Sequence, residues 1–249
     1  MNPLPDPYAD RRYRALHAAK DLCYFRVSVD ETDLHIGARR LLEAQALEAV
    51  LAARAQVQEA IAIRPRFRAS LEPLRPHGTE PPVVRAMLAA GQLAAVGPMA
   101  AVAGAIAQAV GRRLLQDSPE VIVENGGDVF LAGQKPRLVA VHAGQSPLSG
   151  LLAVAVTPGE GLGVCTSSRS VGHSLSLGRA DAALVAARDC ALADAAATRL
   201  GNLVTEPARL EDALAEICAI PGVTGALAIL GDRIGIKGNL EIKTTGGAT

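Results

Sequence analysis

Aromatic side chains are nearly missing from this 249-residue chain, which has three tyrosines, three phenylalanines and no tryptophan. Single-stranded nucleic acid is held by stacking its bases on aromatic platforms inside a basic groove. The charge balance offers no such groove: 25 lysines and arginines face 25 aspartates and glutamates, and basic residues adjoin one another only in pairs such as Arg11-Arg12, Arg39-Arg40 and Arg112-Arg113. A nucleic-acid partner is therefore not expected. Cysteine is sparse as well. Cys23, Cys165, Cys190 and Cys218 fall without a CxxC or any zinc-ligand spacing, which excludes a disulfide scaffold or a zinc module. With no charged-then-apolar leader before Tyr8, buried free thiols in a reducing cytoplasm are expected. Long apolar runs are lacking too. The longest, Leu93 to Ala107, is broken by Gly97, Pro98 and Gly104, too short for a membrane span and suited to a buried helix. His17, His35, His77 and His142 lie in separate segments without metal-ligand spacing.

The chain does hold enough apolar residues, 49% of the total, to bury a sizeable core. One domain over residues 1–249 is expected, or two tightly joined halves, with a proline-rich connection near residues 64–82 (Pro65, Pro73, Pro76, Pro81, Pro82). Leu22 to Val29 and Leu34 to Gly37 read as a strand pair. A long amphipathic helix follows from about Arg39 to Ile63, its apolar face expected from Leu42, Leu47, Val50, Leu51 and Val57. Helices are predicted over Pro81 to Leu93, from Gly97 to Leu115, around Asp194 and over Leu210 to Ile217. Strands are predicted at Val121–Val123, Val129–Leu131, Leu138–His142, Leu151–Val156, Ala182–Ala187, Gly225–Leu230 and Arg233–Ile236. Elements grouped so unevenly indicate an α+β fold rather than regular βαβ alternation.

Four segments carry polar residues in patterns that suit a ligand. In Ala191–Asn202, ALADAAATRLGN, Asp194 and Thr198 stand one helical turn apart, so a carboxylate and a hydroxyl can converge on one hard cation. In Val121–Leu131 a strand runs into Glu124-Asn125-Gly126-Gly127-Asp128. The glycines free the backbone, and Asn125 and Asp128 bring polar groups to the rim, although Asn-Gly is equally the signal of an ordinary hairpin. Gly163–Arg169 ends a strand-like run in Thr166, Ser167 and Ser168, hydroxyls that suit phosphate or sugar oxygens but also cap turns. Val96-Gly97-Pro98 marks a helix start whose free N–H groups suit a phosphate; it serves equally as a plain helix entry. Gly104 and Gly111, further along, are read as close-packing positions against a sheet.

These pieces, in this order, resemble the ApbE superfamily of flavin transferases, in which a GGD strand turn, a TSG loop, a histidine and an ADALxTA helix follow one another. More closely, the chain is similar to an uncharacterised family of bacterial and archaeal proteins related to ApbE. The resemblance rests on Glu31-Thr32-Asp33-Leu34, VGPMAAVAGAIA (Val96–Ala107), VENGGDVFL (Val123–Leu131), TSSRSVGHSLSLGRAD (Thr166–Asp181) and ADAAAT with Gly201-Asn202. It implies a duplicated T-fold-like arrangement of antiparallel sheet with packed helices. It also implies Mg²⁺ held by Asp194 and Thr198, with backbone around Met99 and Ala100 completing the site. Gly97, Met99, Ala100, Asn125, Gly126, Gly127 and Asp128 would line a pocket for FAD or a related flavin, with Thr166, Ser167 and Ser168 beside it and His173 as the proton-transfer residue. Partners implied are a nucleotide-like small molecule and an acceptor protein, with homo-oligomers allowed and no membrane. Two departures stand out. Val102-Ala103-Gly104 replaces the transferases' lysine-glycine, and Ser174-Leu175-Ser176-Leu177 follows His173 where they have Asp-Pro. A flavin, pterin or nucleotide binder without turnover is thus the alternative to a Mg-dependent FMN transferase.

Overall fold

The structure, a computed structural model, describes residue 19 and residues 21–168 and 178–245. Its centre is an eight-stranded antiparallel sheet in the order β1-β2-β3-β4-β7-β8-β9-β10. The strands are β1 (Cys23–Val29), β2 (Thr32–Ala38), β3 (Val121–Asn125), β4 (Asp128–Gly133), β7 (Gly159–Ser167), β8 (Ala182–Ala187), β9 (Val223–Leu230) and β10 (Arg233–Gly238). A smaller sheet, in the order β11-β6-β5, comprises β5 (Arg137–Ala140), β6 (Leu152–Val156) and β11 (Glu241–Thr244). The helices are α1 (Glu43–Ile63), α2 (Pro82–Ala94), α3 (Val102–Leu114), α4 (Cys190–Leu203) and α5 (Leu210–Cys218), with one-turn pieces at Arg66–Ala69, Pro98–Ala101 and Pro207–Arg209. This is an α+β fold of antiparallel sheets with packed helices.

Strand alternation divides the core into two layers. Val121, Val123, Phe130, Cys165, Ala183 and Val185 point one way, into the helices. Ile122, Val129, Leu131, Val164 and Leu184 point the other way and pack with Val139, Val141 and Val154 of the smaller sheet. Nearly every residue of β3, β4 and β8 is buried, because both faces of the central sheet are covered.

Most predicted elements are present with ends shifted by a few residues. The long helix begins at Glu43, and its buried stripe is Ala46, Val50, Ala53 and Val57. Leu47 and Leu51, expected in that stripe, are exposed. Alanine is small enough to bring the helix close, and the i, i+4, i+7, i+11 spacing selects Val50 and Val57 while rotating both leucines outward. Strand β11 and the one-turn helix Arg66–Ala69 were not anticipated from periodicity, both being only four residues long.

Among the described residues no single helix is long and apolar enough to cross a membrane. The pair Pro82–Ala94 and Pro98–Leu114 reaches the needed length and composition only together, bent by 107°. That bend places a short 3₁₀ turn, Pro98–Ala101, beside α4.

Candidate functional site

At one end of the central sheet, the helix-facing side of β3, β4 and β7 meets the start of α3 and the middle of α4. The turn Gly126-Gly127 closes β3 onto β4 with φ of 67° and 112°, so Asn125 lies opposite Asp128. Two successive positive φ values make this a tight two-residue hairpin that glycine accepts without strain. In the next ladder Asp128 lies opposite Cys165. Asn125, Asp128, Cys165 and Ser167 therefore share the helix-facing side. Thr166, one residue out of step, directs its side chain to the opposite face beside Leu184. Only its backbone stays near the hairpin, its carbonyl lying 3.6 Å from where a Cβ on Gly127 would stand.

The start of α3 is fixed from both sides. Asn125 Nδ2 donates to the Ala103 carbonyl at 3.1 Å, and the Gly104 amide donates to Asp194 Oδ2 at 2.9 Å. The Ala103 amide also bonds the Asp194 carboxylate. Asp194 thus caps α3 from a neighbouring helix, satisfying two of the amide donors that a helix start leaves unpaired. Gln108, one turn on from Gly104, accepts from the Cys190 amide at 2.8 Å and donates to Asp189 Oδ2 at 3.1 Å. Asp189 in turn caps its own helix by accepting from the Leu192 amide at 3.0 Å. Gln108 and Asp189 were missed in the sequence, since neither belongs to a motif and only the packing of α3 on α4 brings them together.

Asp194 and Thr198 are both buried, on the same face of α4 as predicted. Burial, and next the charge of Asp128, push the Asp194 carboxyl well above the usual carboxylate range, against the Gly104 and Ala103 amides. Asp128 is pushed up to about 7, first by loss of solvent and then by Glu124, against the Cys165 thiol and the Thr166 amide. Asp128 raises the cost of ionising Asp194, and among the described residues neither has a basic ion-pair partner. Two adjacent acids lacking a counter-cation form a site that a divalent ion would relieve. Both donors, with the Thr198 hydroxyl, are hard oxygens of the kind magnesium takes while keeping water and phosphate in its remaining positions. No cluster of three or more His, Cys, Asp or Glu side chains able to hold a metal occurs among the described residues, so a self-sufficient protein cage is not built here.

The remaining predicted residues distribute as follows. Met99 and Ala100 are half-buried in the 3₁₀ turn that packs on α4. Gly97 precedes that turn, and a Cβ there would lie 1.8 Å from the Ser70 carbonyl, so it is glycine for close approach of the connecting segment. Ser167 and Ser168 are buried at the end of β7. His173 lies outside the described residues. Of the two helix glycines, Gly111 packs on the Phe130 ring of the sheet as expected. Gly104 does not: its missing Cβ makes room for the Cys190 carbonyl of α4. Cys165 and Cys190, distant in sequence, bring their sulfurs to 3.6 Å beneath Asp128 as free thiols.

Comparison with known proteins agrees with this architecture. A family model described as "AbpE bacteria" matches residues 14–230. The UPF0280 protein of Methanocella arvoryzae is 44% identical over 196 residues, covering 78% of this chain and 80% of its own. That of Methanothrix thermoacetophila is 42% identical over 198 residues, covering 78% and 83%. Among solved structures, the Pseudomonas stutzeri flavinyl transferase ApbE superposes with a TM-score of 0.60 at 15% identity, over 87% of this chain and 94% of that one. The flavin transferase ApbE of Vibrio cholerae does so at 0.59 and 14%, over 88% and 96%. At these identities the likeness is one of fold. The extent of the family match and the identity to the archaeal relatives place the chain in the AbpE bacteria family, among the UPF0280 proteins.

Proposed function

We propose that the Asp194–Asp128 end of the sheet binds a flavin dinucleotide or related nucleotide with Mg²⁺, and that the chain acts as a magnesium-dependent FMN transferase toward an acceptor protein. The observation that carries this reading is the pair of neighbouring carboxyls, Asp128 raising the cost of ionising Asp194, with no basic ion-pair partner among the described residues. A pair of carboxyls held by hydrogen bonds but lacking a counter-cation suits a cation brought with a ligand. Asp194 and Thr198 would hold the ion, with backbone of the Met99–Ala100 turn beside them. Once bound, the ion would supply charge neutralisation at the pyrophosphate.

The chain's own part is positioning. The α3 start is held between Asn125 and Asp194, so the backbone that would face the ligand is fixed before it arrives. The Gly126-Gly127 hairpin leaves no side chain between backbone and ligand. His173, in the segment outside the described residues, is assigned the proton transfer because imidazole titrates near neutrality.

A second reading is favoured by one specific feature. Val102-Ala103-Gly104 offers no positive charge where the transferases carry lysine, which suits a protein that binds the nucleotide without turning it over. Incubation with FAD and Mg²⁺, followed by chromatography, separates the two. Release of AMP marks the transferase, bound intact FAD marks the binder, and no FAD binding at all removes the flavin from both.

A further inference from the structure

Although the chain as a whole is electrically neutral, residues 64–85 carry Arg64, Arg66, Arg68, Arg75 and Arg85 against only Glu72 and Glu80. Because these arginines are spaced rather than adjacent, they form no obvious basic block in the sequence. Elsewhere most arginines are engaged: Arg26, Arg39, Arg40, Arg54, Arg113, Arg137, Arg199 and Arg209 pair with carboxylates, whereas Arg112, Arg179 and Arg188 have no carboxylate at ion-pair distance among the described residues. Within this segment, Arg66, Arg68, Arg75 and Arg85 are exposed, and none has a carboxylate at ion-pair distance among the described residues. Arg68 acts on Glu31 only from further away, and Glu31 is already paired with Arg54.

The segment is built to hold its shape. Phe67 and Leu74 are buried beneath it, Arg64 Nη1 donates to the Arg75 carbonyl at 2.9 Å, and Glu80 accepts from the amides of His77 and Gly78. Its Ser70 carbonyl sits against Gly97, at the entrance to the 3₁₀ turn beside α4. Ser70 thus anchors the segment at that turn. In the same stretch of chain Ile63 and Leu71 are 77% and 60% exposed.

We propose that the exposed residues of this segment, Arg66 and Arg68 on either side of the buried Phe67 and Arg75 beyond them, with the exposed Ile63 and Leu71 in the same stretch, dock an acidic polypeptide segment that carries apolar side chains among its carboxylates. Charge complementarity names the acid, and the two exposed aliphatic residues name the apolar component. A lipid surface is a poorer match, because interfacial binding uses a continuous amphipathic helix and this segment holds a single helical turn. A nucleic acid is poorer still, for want of aromatic platforms. The inference stands on charge and exposure and does not draw on the magnesium reading.

The test is fluorescence anisotropy of the full chain with a fluorescein-labelled peptide of alternating Glu and Leu. Saturable binding that weakens with salt is expected. The variant R66E/R68E/R75E should lose about tenfold or more in affinity, whereas R233E/K237E/K243E, the same charge change on β10 and β11, should stay within about twofold of the native chain. R66K/R68K/R75K, which keeps the charge, should retain most of the binding. Circular-dichroism melting of each variant, and Mg²⁺-dependent FAD binding on the same samples, separate loss of docking from loss of fold or of the nucleotide site. No saturable binding, an equal loss in both charge-reversed variants, or binding to phosphatidylserine vesicles in place of the peptide overturns the proposal.

Discussion

The amide of Gly104 donates to Oδ2 of Asp194 across 2.9 Å, and a Cβ on Gly104 would lie 2.9 Å from the Asp194 Cβ and 2.3 Å from the Cys190 carbonyl. Gly104 thus offers the amide that Asp194 caps and, lacking a side chain, lets α4 approach. In an open helix Gly→Ala would stabilise by about 0.5–1 kcal/mol. Here the obstacle is a backbone carbonyl, which cannot swing aside, and overpacking of that kind costs about 1–3 kcal/mol. Gly104→Ala should therefore destabilise the protein in urea unfolding. A variant as stable as the native chain would show that the two helices can part cheaply.

Asp128 should make stability depend on pH in the metal-free protein. Its folded-state pKa, about 7, lies above the ordinary value of 3.8, so the folded chain binds the extra proton in that interval. The contribution of the protonated form is fully present below the ordinary value and is lost as pH rises through about 7. Because Asp128 retains some solvent contact, the loss is placed on the order of 2 kcal/mol between about pH 4 and about pH 8. Urea unfolding at both pH values should show this loss in the native chain and less of it in Asp128→Asn. Equal pH dependence in the two proteins would contradict the burial of this carboxyl.

Asn125 is a tether between the hairpin and α3. Asn125→Ala removes a part-buried hydrogen bond to the Ala103 carbonyl, which as a carbonyl at the helix start keeps its intrahelical donor, at a cost of about 0.5–1.5 kcal/mol. The same variant should weaken nucleotide binding by more than it lowers the melting temperature suggests, because the hairpin and the α3 start are then free to move independently. Binding left intact in a destabilised variant would assign Asn125 to the fold alone.

The cysteines should separate by reactivity. Cys23 is exposed, whereas Cys165 and Cys190 are buried. Burial pushes the Cys165 thiol well up, and in Cys190 the lowering effect of its bond with Cys165 is outweighed by burial together with the charges of Asp128, Asp194 and Asp189. Iodoacetamide labelling read by peptide mass spectrometry should modify Cys23 in the native protein, and Cys165 and Cys190 only after unfolding. Rapid native labelling of Cys165 would mean that water reaches the floor of the site.

The sequence exposed what periodicity and short motifs encode. The β1–β2 hairpin, the helices around Val50 and Leu88, and the strand pair at Gly126-Gly127 follow from local pattern, and the Asp194–Thr198 spacing correctly put two oxygens on one helix face. Relations that depend on packing were invisible. Nothing local says that Asp128 lies near Asp194, that Cys165 meets Cys190, or that Gln108 ties Asp189 to α3, because each joins residues far apart in the chain. From sequence Gly97 marks a helix entry or a phosphate position, and its contact with Ser70 depends on where residues 64–82 run. Leu47 and Leu51 show the reverse error: hydrophobicity suggested burial, but alanines won the interface because they allow closer approach.

The central claim is that Asp194 serves a cation carried in with a nucleotide. Isothermal titration of FAD into the native chain and into Asp194→Ala, each with Mg²⁺ and with EDTA, tests it most directly. The expected result is binding that requires Mg²⁺ in the native chain and is lost in a variant that still melts cooperatively. Equal FAD affinity in the two proteins, or affinity indifferent to Mg²⁺, would contradict it.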